Sequence, residues 1–114
     1  MPPNDSELSA GTDLVGRVLG LEVDNPLNLD ELRQAVKRAI ARLISDEFGR
    51  LASTMYQLDV DEQQVEAVFA SNPAQDLPGA LSTLVIDRLV QKLATRRLYR
   101  DEVKRPSDDH PGPL

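Results

Sequence analysis

From Leu29 to Leu58 the apolar residues recur at steps of three and four: Leu29, Leu32, Val36, Ala39, Ile40, Leu43, Ile44, Phe48, Leu51, Met55 and Leu58. That spacing lays one apolar stripe along a helix. Its start is marked by Asn28 as an N-cap, by Glu31 three residues on, and by Leu27 and Leu32 at the two positions of a hydrophobic staple. The pattern predicts one helix over about 28–57, a rod of roughly 40 Å. The stripe drifts at Ser45, where SDEFG interrupts it, so the helix is expected to bend there; the alternative is that Ser45 caps a second helix.

A shorter helix is predicted over 61–71, with Asp61 as its cap, Gln64 at its third position and Val60 and Val65 as a staple; it ends before Asn72-Pro73. Asp76 caps a third helix over 76–100, with Pro78 in the first turn where its missing N–H does no harm. Leu81, Leu84, Val85, Ile86, Leu89, Val90, Leu93 and Ala94 cover about half of its circumference.

The segment 13–27 reads two ways. Thr12 can cap a short helix over Asp13 to Leu19, whereas Val15, Leu19, Leu21 and Val23 also share one side of an extended arm that docks on the core or a partner. Residues 1–12 and 106–114, rich in Pro, Gly and polar residues, read as disordered tails around a single domain over 13–105. The expected fold class is all-α: a small helical bundle or long helical hairpin of three main helices. Three helices with faces this broad do not enclose a full core, so completion by homodimerisation is expected.

Composition narrows the function classes. Without Cys there is no disulfide scaffold, thiol nucleophile or cysteine-based zinc site. The one His, His110, lies in the Pro-rich C-terminal segment, and no Gly-rich phosphate loop or Ser-His pattern exists. No apolar run nears the roughly 20 residues that cross a bilayer, and the N-terminus lacks a secretory pattern, so a cytoplasmic protein off the membrane is expected. No enzyme, cofactor or metal is expected.

Two clusters remain as candidate chemistry. In LDVDEQQV, Asp59, Asp61 and Glu62 resemble a ligand set, but a calcium loop counted from Asp59 needs Gly at its sixth position and Glu at its twelfth. The chain has Gln64 and Ala70 there. Helix capping explains these carboxylates instead.

The sharper candidate is basic. The net charge of −6 conceals an acidic N-terminal end and a basic run on the third helix: Arg88, Lys92, Arg96, Arg97 and Arg100. Residues spaced by four form a stripe that could hold an anion, an acidic partner surface or a nucleic-acid backbone. The overall acidity opposes unspecific polyanion binding. The functional expectation is a protein–protein interaction module, as an adaptor, regulatory or assembly subunit, with nucleic-acid association as the alternative.

Overall fold

The structure, a computed structural model, describes residues 4–21, 25–71 and 76–104, with side chains up to Arg96. The secondary structure of the described residues is all-helical: α1 (Asp5–Leu19), α2 (Leu29–Asp46), α3 (Leu51–Gln57), α4 (Glu62–Ala70) and α5 (Leu77–Lys104), with a 3-10 turn over Phe48–Arg50. No strand occurs among them.

Helix α1 corrects the N-terminal expectation, since residues 5–12 are not a tail. Asn4 accepts a hydrogen bond from the Glu7 N–H at 2.8 Å and its own N–H donates to Glu7 Oε1 at 3.0 Å, a complete capping box. The segment is poor in large apolar residues, but small ones occupy its contact positions. Leu8, Gly11, Thr12 and Val15 are buried, and the buried Thr12 hydroxyl donates to the Leu8 carbonyl at 2.8 Å. Gly11 lies against α5 so closely that a Cβ there would sit 2.9 Å from Leu89 Cδ2. Gly20, at φ 68°, ends the helix in the left-handed conformation that favours glycine. Leu21 then packs against the core, so the start of the expected arm docks on its own domain. Val23 lies outside the described residues.

Helix α2 begins where expected: the Glu31 N–H donates to Asn28 Oδ1 at 2.9 Å. The rest of its start differs. The Glu31 carboxylate accepts from the Leu27 N–H at 3.1 Å, and Leu27 is 80% exposed, so no staple forms with the buried Leu32.

The single helix over 28–57 is also corrected, because it is two helices. Glu47, at φ −145° and ψ 55°, leaves helical geometry, and the 3-10 turn separates α2 from α3. Ser45 lies inside α2 and caps nothing; Glu47 and Arg50 pair across the break at 3.1 Å. The break falls beside Gly49, the poorest helix former in the run. Leu51 and Met55 of α3 are buried while Phe48 is exposed, so Phe48 belongs to the surface and not to the stripe.

Helix α5 starts as read: Asp76 Oδ1 accepts from the Gly79 N–H at 3.1 Å, and the same oxygen pairs with Lys37 of α2 at 3.3 Å. It runs to Lys104, past the expected end at 100. The C-terminal segment 106–114 lies outside the described residues.

The core is one cluster. Leu32, Val36 and Ile40 of α2 meet Leu81, Val85, Leu89 and Leu93 of α5, with Leu8 and Val15 of α1 and Leu51 and Met55 of α3 closing it. Much of the broad α2 and α5 faces that suggested a second copy is therefore covered within one chain, while Leu43, Ile44, Leu84 and Val90 stay half-buried. Helix α1 supplies part of that cover; its second half is the short helix expected over Asp13 to Leu19, but Thr12 lies inside the helix and does not cap it.

Candidate functional site

The structure gives the three carboxylates of LDVDEQQV three different tasks. Asp61 Oδ1 accepts from the Gln63 N–H at 2.9 Å and caps α4, as its position predicts. Glu62 lines a groove described below. Asp59 closes α3: the Asp59 N–H donates to the Tyr56 carbonyl at 3.0 Å and the Val60 N–H to the Met55 carbonyl at 3.1 Å. These two bonds, with Val60 and Met55 both buried, make a Schellman motif. Its left-handed position is usually glycine, yet here Asp59 occupies it at φ 60°.

Helix α5 holds this turn. Lys92 Nζ pairs with Asp59 Oδ2, and Arg88 Nε donates to the Asp59 carbonyl at 2.9 Å. Arg88 also reaches Gln91 Oε1 at 3.5 Å. The first half of the basic stripe thus braces the turn between α3 and α4. Arg96 is exposed, while the side chains of Arg97 and Arg100 lie outside the described residues.

The Lys92 ammonium, by hydrogen bond and then by charge, holds the Asp59 carboxyl below its ordinary value of 3.8, with Arg88 adding a smaller pull. A carboxyl whose pKa is lower in the folded state contributes stability above its unfolded value, and that contribution disappears as pH falls through the folded value. Stability is therefore expected to drop below about pH 4 more steeply in wild type than in Asp59→Asn. Asp59→Asn keeps a residue type tolerant of φ > 0 and isolates the ion pair, whereas Asp59→Ala removes both the pair and that tolerance. Urea unfolding near neutral pH is expected to rank wild type above Asp59→Asn and Asp59→Asn above Asp59→Ala. Equal Asn and Ala variants would contradict the role of the left-handed turn.

The braced turn positions a groove between α3 and α4. Ala52, Met55, Tyr56, Val60, Val65 and Phe69 form its apolar walls, Glu62 and Glu66 also line it, and it encloses about 330 Å³. Phe69 stacks edge-on against Phe48, with ring centroids 6.5 Å apart and planes at 87°. Phe48, Tyr56 and Phe69 are three of the chain's four aromatic residues, and all three are exposed. Helix α4 buries none of its residues fully, so Val65 and Val68 are only half covered.

The apolar spacing counts Phe48 among the core positions and gives Tyr56 no role, so it does not reveal the groove. Val65, Val68 and Phe69 are legible as a helix face, but nothing local to them shows that this face stays partly uncovered.

Among the described residues, no group of three or more His, Asp or Glu side chains could hold a metal ion, and no helix is long and apolar enough to cross a membrane. Compared with known protein families, with curated proteins and with solved structures, the chain has no significant match.

Proposed function

We propose that this protein is a non-enzymatic helical protein-binding module, an adaptor, regulatory or assembly subunit, and that it binds through the groove between α3 and α4. The observation that carries the reading is that groove: an apolar cleft at the surface of the domain, edged by the exposed Tyr56 and Phe69. Tyr56, 82% exposed at its wall, is of the residue type that most often anchors protein interfaces.

The nucleic-acid alternative loses part of its support, since Arg88 and Lys92 are engaged with Asp59. The homodimer loses part of its motivation with the partial covering of α2 and α5, and the groove is one place where a second copy would sit.

The test uses the pair Tyr56→Ser and Phe69→Ser, both at exposed positions. The double variant is expected to unfold at nearly the wild-type temperature while losing a protein that wild type retains on purification from its own cells. Identical recoveries from the two proteins would overturn the reading.

A further inference from the structure

The groove carries a charge pattern that specifies its occupant more narrowly. We infer that it takes an amphipathic helix whose apolar seam is flanked by Lys or Arg. This rests on the proposed function and names the partner chemistry of the same site.

The shape favours a helix. Two short helices wall the cleft, and α4, at nine residues, is roughly 13 Å long. A cleft of that length matches the apolar face of a two- to three-turn helix, presented at positions i, i+3 or i+4, and i+7. Its volume of about 330 Å³ is at the small end of the range for pockets that bury a ligand well, so it admits a few side chains and not a folded surface.

The charge favours a basic one. Glu62 and Glu66 stand one helical turn apart and both line the cleft. Like charges at that spacing weaken a helix slightly, so α4 bears a small internal cost that a bound cation would relieve. No cation lines the cleft, and neither α3 (LASTMYQ) nor α4 (EQQVEAVFA) contains a Lys or Arg. No ion pair forms at either glutamate among the described residues. Arg88 and Lys92 hold Asp59, and Arg50 holds Glu47. An apolar cleft edged by two unpaired carboxylates is complementary to an apolar seam edged by cations, and it repels an acidic helix.

The probes are two fluorescein-labelled helical peptides of about 14 residues with the same Leu and Phe seam, one flanked by Lys and Arg and its twin by Glu. Binding to the full chain is read by fluorescence anisotropy. Wild type is expected to bind the basic peptide at least about tenfold more tightly than the acidic one, with the preference shrinking as salt rises. Glu62→Gln with Glu66→Gln is expected to abolish the preference, and Glu62→Lys with Glu66→Lys to invert it, with far-UV circular dichroism unchanged. The amide resonances that shift on titration are expected to fall on α3 and α4.

Equal affinity for both peptides would overturn the inference, as would binding of the basic peptide that ignores the glutamate substitutions, or no binding of either up to about 1 mM. A concentration-dependent rise in mass by light scattering that Tyr56→Ser abolishes would assign the groove to a second copy, and would equally overturn it. If the peptides show no preference while Tyr56→Ser with Phe69→Ser still loses a cellular partner, the charged-helix inference fails and the binding module stands. If that pair loses nothing, the module itself fails.

Discussion

Shortening Ile40 to alanine is expected to lower the unfolding free energy by about 2–5 kcal/mol, a large part of the roughly 5–15 kcal/mol that a domain of this size has. Ile40 is 0% exposed on the α2 face that packs against α5, and the core cluster around it draws on α1, α3 and α5 as well. Three methylene-sized groups would leave a cavity with walls on several helices, so no single side chain can move to fill it. The measurement is urea unfolding followed by circular dichroism. The midpoint is expected to fall with the slope unchanged, because the surface exposed on unfolding stays nearly the same. Ile44→Ala, one turn on and only half-buried, serves as the internal comparison and is expected to cost distinctly less. If the two variants cost the same, the α2–α5 contact is not the centre of the core.

The second large effect is expected at Gly11. A Cβ there meets Leu89 Cδ2 at 2.9 Å and Cδ1 at 3.2 Å, and Leu89 is itself buried. Gly11→Leu must therefore either overpack the α1–α5 contact, at about 1–3 kcal/mol, or push α1 off the core with a larger loss. Gly16, in the same helix, has nothing within 4 Å of an added Cβ. Gly16→Ala is accordingly expected to stabilise by about 0.5–1 kcal/mol through helix propensity alone. Opposite signs for the two substitutions would place α1 against α5; small effects of the same sign would mean that residues 5–19 are not docked.

Gly11 also shows why the N-terminal segment was misread. A count of large apolar residues up to residue 12 finds little to bury, so the segment resembles a tail. Close helix packing uses the opposite chemistry, a missing side chain into which a neighbour fits, and glycine gives no hydrophobic signal. The local marker was present in Asn4 and Glu7, spaced as a capping box, but a cap has meaning only if the helix behind it finds a surface. With the N-terminal helix read at most over 13–19, the faces of α2 and α5 look too broad for one chain and suggest a dimer.

The basic stripe and the acidic turn were each legible as clusters, and each was assigned a role separately. They are 29 and 33 residues apart along the chain, at Asp59–Arg88 and Asp59–Lys92, and only the fold brings them together. An arginine at a helix surface reads the same whether it waits for a phosphate or holds a backbone carbonyl.

What the sequence determined by itself is everything governed by neighbours within about one helical turn. That covers the all-helical class, the caps at Asn28, Asp61 and Asp76, and the apolar face shared by α2 and α5, because hydrogen bonding and periodicity at that range depend only on local residue types. The tertiary structure alone decided the rest: that α1 covers the core through Gly11, that α2 and α3 separate at Glu47, that Arg88 and Lys92 brace Asp59, and that Tyr56 and Phe69 flank a groove edged by Glu62 and Glu66. Each of these depends on which distant surfaces meet, and a pattern of neighbours carries no record of that meeting.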